Sequence, residues 1–431
     1  MAIVAEHASS RFGGEAALAL HYFRVLRRRG LPVWLVTHAR TRGELDALFS
    51  NDVRIVYIED SRWHRAMWSV GRRLPAFIAY VTTSFLSRLA TQLSQRRVVR
   101  KLVRDQGVTV VHQPMPVSPR EPSLLHGFDV PVVIGPMNGG MDYPRAFARH
   151  RVGLEGALMW LGRTAAAVLN AMLPGKRKAA ALLVANERTR LALPKGVTPN
   201  VIELVENGVD LGLWNGEAAE DSKAARDGTT TFIFMGRLVD WKAVDLLLHA
   251  FAKACRQTPM RVWILGDGEQ RASLEGLAAE LGIAGSSVSD IGKVHFTGWL
   301  AQQECAARLA AADCLVLPSL LECGGAVVLE AMSMAKPVIA TAWGGPLDYL
   351  DPSCGVLVAP NSRESVIEGF AAAMLDLAGS PSRRAQMGRC ARAKVRREFD
   401  WELKVDRMLG IYQEAIARHR EHRAGAIRKG G

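Results

Sequence analysis

Two glutamates, Glu322 and Glu330, lie eight residues apart in an otherwise apolar stretch, LLECGGAVVLEAM (320–332), with a glycine pair beside the first. A carboxylate in such surroundings needs a reason, because burying a charge without a partner is costly. The stretch follows the β-type run CLVLPS (314–319), so Glu322 falls on a loop, a helix starts near Gly324, and Glu330 lies two turns along it. Eight residues at about 100° each leave the acids roughly 80° out of line, so they can reach different parts of one ligand. The first amides of that helix, uncovered at Gly324 and Gly325, suit an anion.

Three further loops of the second half carry compatible chemistry. MGRLVDWK (235–242) ends a strand and puts Arg237 and Lys242 ahead of a helix. Two cations on one short loop suit a diphosphate, the Arg as a planar fork and the Lys as a point charge. LGDGEQ (265–270) places Gly266, Asp267 and Gly268 after a strand, a turn through which a ligand can approach the backbone. HFTGWL (295–300) sets Gly298 beside Trp299. In the first half, Gly13 and Gly14 precede a helix, Asn138, Gly139 and Gly140 follow a strand, and His112 ends VTVVH. His112 reads either as a polar site residue or as a hydrogen-bonded core group.

These loops need strands and helices to aim them. Apolar, β-branched runs at 32–38, 53–59, 108–113, 130–136 and 181–187, and again at 230–236, 261–268, 293–299, 314–319 and 336–345, read as buried parallel strands. Helical stretches such as Glu15–Arg29 and Ala243–Arg256 alternate with them, which implies α/β units. The Gly-, Asp- and Ala-rich segment 206–228 is the expected linker between domain 1–206 and domain 207–400. A helix from Trp401 to about residue 420 follows the last strand, and the basic run after Ala417 is expected to fray.

Charge divides the chain as well. Residues 1–205 hold 29 Lys and Arg against 14 Asp and Glu; of the totals of 55 and 42, that leaves 26 against 28 for the remainder. The positive half calls for an anionic neighbour, either substrate or membrane surface. Nucleic acid is not expected, because no recognised module or aromatic-basic interleaving is present. The uncharged runs Leu74–Ser87 and Thr164–Gly175, flanked by Arg72, Arg73, Arg88, Arg163 and Lys176–Lys178, are too short to span a bilayer. They read as core helices or as helices lying on anionic lipid. All six cysteines lie in the second half without a CxxC pair, so reduced thiols are expected and no metal site. The start, MAIVAEHASSRFGG, lacks a basic segment followed by an apolar one, and no signal peptide is expected. A cytoplasmic location, peripheral to the membrane, follows from these readings.

Taken in order, the motifs resemble the retaining glycosyltransferases of group 1 (family 4). GRLVDWKAVDLLLHAF resembles that family's donor-phosphate loop, LGDGEQRASLE and VHFTGWL its nucleotide-binding turns, and LLECGGAVVLEAM with KPVIAT its paired-glutamate region. VENGVDLGLW (205–214) and FDWELKVDRMLGIYQEAI (399–416) resemble the start of its donor domain and its terminal helix. The resemblance implies a GT-B fold: two Rossmann-like parallel-sheet domains facing across a crevice, with the C-terminal helix crossing back to the first. It implies a nucleotide-diphospho-sugar as donor substrate, no metal and no cofactor, and a lipid-linked or saccharide acceptor in cell-surface glycan assembly. Arg237 and Lys242 would take the diphosphate, Glu330 the ribose and Glu322 the sugar. Gly13 and Gly14 would line the acceptor side, with His112, Asn138 and Gly139.

Two departures stand out. Cys323-Gly324 replaces the family's common Gly-Phe, and Met137 or Asn138 stands where many members have a histidine, which leaves that role unfilled or passes it to His112. Alternatives are a sugar-nucleotide epimerase of the same fold or a non-catalytic protein bound to membranes.

Overall fold

In the computed structural model, which describes residues 1–151, 164, 166–215 and 228–430, the apolar runs become thirteen strands in two sheets. The linker segment expected at 206–228 falls largely on residues 216–227, and one flanking base of the second uncharged run is Arg163; both lie outside the described residues. The chain divides into two units. One holds Met1–Gly140, the described residues from Thr164 to Glu206, and the chain from Lys404; the other holds Met141–Arg151 and the described residues from Asn207 to Leu403.

The sheet of the first unit has β1 (Ala2–Val4), β2 (Trp34–His38), β3 (Ile55–Ile58), β4 (Val111–Gln113), β5 (Val132–Met137), β6 (Ala181–Val184) and β7 (Val201–Glu203), in the order β3-β2-β1-β4-β5-β6-β7. Every neighbouring pair is parallel. Nearly continuous burial along β1, β4, β5 and β6 explains why these runs are apolar without alternation. The order reverses between β1 and β4, so in a doubly wound sheet a ligand site belongs at the carboxyl ends of those two strands.

The second unit repeats the plan with β8 (Thr230–Met235), β9 (Met260–Leu265), β10 (Val294–Gly298), β11 (Cys314–Leu317), β12 (Val338–Thr341) and β13 (Gly355–Val358), ordered β10-β9-β8-β11-β12-β13 and again parallel throughout. Its switch point lies between β8 and β11, the strands that end in Arg237–Lys242 and in Glu322. Helix Val244–Ala254 buries Leu246, Leu247, Leu248 and Phe251 against this sheet.

Three strands were not expected from sequence: β1, β7 and β13. The last helix also runs further than expected, from Trp401 to Gly430. It holds at its basic end because His419 Nε2 and Arg423 Nη1 both bond the carbonyl of Asp129, at 3.1 and 3.2 Å. Among the described residues no helix is long and apolar enough to cross a membrane.

Candidate functional site

The loops at the second unit's switch point are tied to one another through backbone. Leu238 N donates to Asp267 O at 3.0 Å, Gly236 N to Leu265 O at 3.0 Å, Gly266 N to Gly298 O at 2.9 Å and Leu320 N to Trp241 O at 2.9 Å. The loops after β8, β9, β10 and β11 therefore form one platform. Gly266 and Gly268 are glycines because that platform is tight. A Cβ at Gly266, whose φ is +133°, would lie 1.9 Å from Gly236 O, and one at Gly268 would lie 2.3 Å from Leu238 O. The space expected for an approaching ligand is filled by the neighbouring loop, so these glycines position Arg237. Asp267 is engaged too, by Gly268 N at 2.7 Å and by Arg271 at 3.2 Å. Trp299, 74% exposed, stands free after β10.

On the platform, Lys242 Nζ forms an ion pair with Glu322 Oε2, both side chains mostly buried. This contact joins the β8 loop to the β11 loop across 80 residues of sequence. Arg237 is exposed and has no side-chain partner among the described residues. The helix after Glu322 begins at Ala326, two residues later than its glycines suggest. Gly325 (φ 79°, ψ 58°) caps it in the left-handed region and no side chain covers its first amides. Gly325 also sits under Glu322, since a Cβ there would meet Glu322 Cγ at 3.0 Å. Gly345 N donates to Glu322 O at 2.7 Å, which fixes the turn from its other side.

Glu330 follows on that helix, between the buried Leu329 and Ala331. Its carboxyl has no hydrogen-bond partner among the described residues, and burial alone raises its pKa to about 7. The same carboxylate helps to push the Cys305 thiol up to about 11, after burial itself. An unpartnered, half-buried carboxylate on this helix is equipped to accept bonds from ligand hydroxyls.

In the first unit a cleft of about 270 Å³ opens at the β1–β4 switch point, lined by Glu6, His7, Gly13, Gly14, Arg88 and Glu121 among others. Gly13 (φ +91°) and Gly14 have open space where a side chain would go, so both leave their backbone accessible. Glu6 and His7 escaped notice in the sequence because β1, the strand they follow, is three residues long. The signal available was a charged Glu-His pair directly after the apolar AIVA. Burial raises Glu6 to about 7, with Arg88 and Arg40 pulling the other way. Burial, Arg40 and His38 lower His7 to about 4. Arg88 Nε donates to Glu121 at 2.7 Å.

Three residues expected on the acceptor side are structural instead. His112 is 1% exposed, with Nε2 2.6 Å from Gly135 O and Nδ1 2.7 Å from Tyr412 OH. A carbonyl only accepts, so Nε2 carries the proton and Nδ1 accepts from the Tyr412 hydroxyl. Burial lowers its pKa to about 4 and keeps it neutral. His112 is thus the core group of the two readings, sealed under the last helix, and cannot stand in for a histidine at the sugar. Asn138 is buried, with Nδ2 donating to Glu206 at 2.8 Å. Gly139 N donates to Thr189 Oγ1 at 3.1 Å, and a Cβ there would lie 2.7 Å from Pro119 Cδ. With Thr189 Oγ1 also 3.4 Å from Asn138 Oδ1, both pin the loop after β5 to helix Glu187–Leu191. Among the described residues no three of His, Cys, Asp and Glu are arranged to hold a metal ion.

The profile of the family described as "Glycosyl transferases group 1" matches residues 216–394. Over those residues the chain is similar to the group 1 glycosyl transferases. The stretch carries every second-unit residue described above. Among curated relatives of this chain, a GDP-mannose-dependent monoacylated alpha-(1-6)-phosphatidylinositol monomannoside mannosyltransferase of Corynebacterium glutamicum is 31% identical over 49% of this chain and 56% of its own length. A D-inositol 3-phosphate glycosyltransferase of Kineococcus radiotolerans is 33% identical over 56% and 58%. A lipopolysaccharide core biosynthesis glycosyltransferase of Rhizobium meliloti is 32% identical over 41% and 48%. The chain spans about half the length of the curated relatives it matches.

Solved structures share the fold across both units. A glycosyltransferase of Rickettsia africae superposes with a TM-score of 0.64 at 15% identity, covering 96% of this chain and 98% of its own. An Anabaena protein in complex with UDP gives 0.64 at 14% identity, covering 96% and 100%. The fold is GT-B, two Rossmann-like parallel-sheet units.

Proposed function

We propose that this protein transfers a hexose-type sugar from a nucleotide-diphospho-sugar to a lipid-linked or saccharide acceptor in cell-surface glycan assembly, with retention at the anomeric carbon and without a metal. The Lys242–Glu322 ion pair at the second unit's switch point, flanked by Arg237 and Glu330, carries this reading. Breaking the bond from sugar C1 to phosphate puts negative charge on the departing diphosphate and positive charge on the ring. Lys242, Arg237 and the uncovered amides at Ala326 stabilise the diphosphate. Glu322, next to Lys242, stabilises the oxocarbenium-like ring. The acceptor oxygen bonds to C1 on the face that the diphosphate leaves, and the acceptor's proton departs with the diphosphate. Glu330 takes the ribose hydroxyls. Relatives that carry mannosyltransferase, inositol-phosphate glycosyltransferase and lipopolysaccharide-core names support the class of reaction.

The test is donor turnover, after a thermal-shift comparison of UDP-, GDP- and ADP-sugars has chosen the donor. Lys242→Ala and Glu322→Gln are expected to lower turnover at least 100-fold each, as loss of one transition-state contact does; intact turnover in both overturns the reading. Product analysis with donor alone separates transfer from epimerisation.

The first unit's excess of base supports a peripheral contact with anionic membrane. Helix Arg62–Gly71 exposes Trp63, Trp68 and Val70 next to Arg65, Arg72 and Arg73. Vesicle binding that requires anionic lipid and weakens with salt is the expected behaviour; salt-insensitive partitioning contradicts it.

A further inference from the structure

The loop between β4 and β5 runs along helix Phe85–Gln106, and the two are joined at regular intervals. Arg88 Nε donates to Glu121 at 2.7 Å. Gln92 accepts from Leu124 N at 2.8 Å and donates to Pro122 O at 3.4 Å. Arg96 Nε donates to His126 O at 3.1 Å. Residues 88, 92 and 96 form one ridge of the helix, on which side chains four apart are neighbours. Arg100 is the next residue on that ridge, exposed and without a partner among the described residues.

Around this fourth rung, positive charge gathers from three segments of the chain. The Arg96 guanidinium lies over Gly127, where a Cβ would come within 3.3 Å of Nη2. Its Nη groups meet no acceptor among the described residues. His126 is half-buried, and neither ring nitrogen has a partner among those residues. Lys178, at the end of helix Gly175–Lys178, is exposed and unpaired among them as well. Burial and then the charges of Arg96, Lys178 and Arg100 hold the His126 pKa below its ordinary value, and burial and then Arg100 lower that of Arg96. Asp129 is the one carboxylate between Leu124 and Val132, and it lies toward Arg423, 3.6 Å away. A cluster of donors without an acceptor repels itself, and a bound anion removes that cost.

We propose that Arg96, Arg100, His126 and Lys178 form a phosphate-binding site separate from both the cleft and the donor loops. None of the four lines the first unit's cleft. A bound phosphate supplies the acceptor that the fourth rung lacks, and it fastens the far part of the loop as Arg88 fastens the near part. Glu121, at the near part, is in the cleft wall, so occupancy of the site stiffens that wall. The phosphate belongs either to a soluble phosphate or phosphomonoester, or to a phospholipid headgroup. The inference does not depend on the transferase reading.

The experiment titrates inorganic phosphate into the full chain by calorimetry, with sulfate as a probe whose charge is constant between pH 5 and pH 8. Arg100 is exposed and partnerless, so Arg100→Ala leaves the fold intact and should weaken phosphate binding about 10-fold or more. Lys101→Ala removes the same charge from the neighbouring exposed position and should weaken it less than about 3-fold. Phosphate held by the second unit would not respond to Arg100→Ala. Sulfate affinity should rise about 3-fold or more from pH 8 to pH 5, as His126 gains a proton beside Arg96, Arg100 and Lys178. That rise should vanish in His126→Gln. No binding of phosphate, equal losses of phosphate binding in Arg100→Ala and Lys101→Ala, or a sulfate pH dependence that survives His126→Gln overturns the proposal. Phosphatidylcholine vesicles with and without phosphatidic acid separate the two sources. Binding to the acidic vesicles that Arg100→Ala lowers and Lys101→Ala keeps supports the headgroup. Vesicle binding equal in the two variants, with soluble phosphate still held by wild type, supports the soluble ligand.

Discussion

Glu330→Gln is expected to make the protein more stable and a poorer binder of its donor, and the stability gain should depend on pH. Burial moves the Glu330 carboxyl from 4.5 to about 7 in the folded chain. The folded state therefore holds this proton more tightly than the unfolded state. Below about pH 4.5 both states are protonated and the group has no effect on stability. Between 4.5 and 7 stability falls with rising pH, and above 7 the whole deficit is present. A shift of about 2.5 units at 1.36 kcal/mol each gives about 3 kcal/mol. Glutamine does not titrate and escapes the deficit. The stability of Glu330→Gln relative to wild type should thus rise by about 3 kcal/mol from pH 4.5 to pH 8. For a unit of roughly 200 residues that is about 6–12 °C in Tm.

The assay is a pair of denaturant or thermal melts at pH 5, 6, 7 and 8, following the transition of the second unit. Donor affinity moves in the opposite sense. An ionised carboxylate accepts from both ribose hydroxyls and an amide oxygen does so less well, so Kd should rise about 10-fold in the variant. Wild-type affinity should climb from pH 6 to 8 while that of the variant stays flat. A stability difference that is constant with pH to within about 0.5 kcal/mol would refute the reasoning, because it would mean that the carboxyl is solvated.

Three further outcomes are expected. His112→Phe should destabilise the first unit by about 3 kcal/mol, since the Tyr412 hydroxyl and Gly135 carbonyl lose their buried partner, yet leave nucleotide affinity unchanged; a fall in nucleotide affinity would return His112 to the site. Gly268→Ala drives a Cβ into Leu238 O and must displace the Arg237 loop, so donor Kd should rise at least 10-fold with little change in far-UV CD, and wild-type affinity would dismiss the platform argument. A double-mutant cycle of Lys242→Met and Glu322→Gln should show a coupling of about 1–3 kcal/mol in stability, because either single change leaves a mostly buried charge without its partner; additive effects would mean the pair is not formed in solution.

The readable parts of this protein were those with a local cause. Buried parallel strands write themselves as apolar runs, so ten of the strands could be placed from sequence. β1 and β7 are three residues each, too short for any pattern, and β13 hides in a Gly-containing loop signature, SCGVLVAP. Glu322, Glu330, Arg237 and Lys242 drew attention because charge on or just after an apolar strand-to-helix turn has few structural explanations; the structure pairs Lys242 with Glu322, and the roles of all four are part of the proposal. His112 and Asn138 misled for the opposite reason. Each sits at a strand end as a site residue would, but its partner, Tyr412 or Glu206, is 300 or 68 residues away. Gly266 and Gly268 were legible as glycines but not for their cause, which is the carbonyls of a loop some 30 residues earlier.

The last helix also sets a timetable for biosynthesis. His112, the end of β7 with Val205 just after it, and the loop before β5 find their partners in Tyr412, Lys404, Arg407, His419 and Arg423. At about 5–20 residues per second, a ribosome that has just made β4 needs on the order of 15–60 s to deliver that helix. Through that interval the amino-terminal sheet waits with one flank uncovered, exposed to chaperones and proteases, while the second unit is made and can fold ahead of it. A nascent chain stalled shortly before Trp401 should therefore carry a protease-resistant second unit and a sensitive first one, reversing the order in which their strands were made.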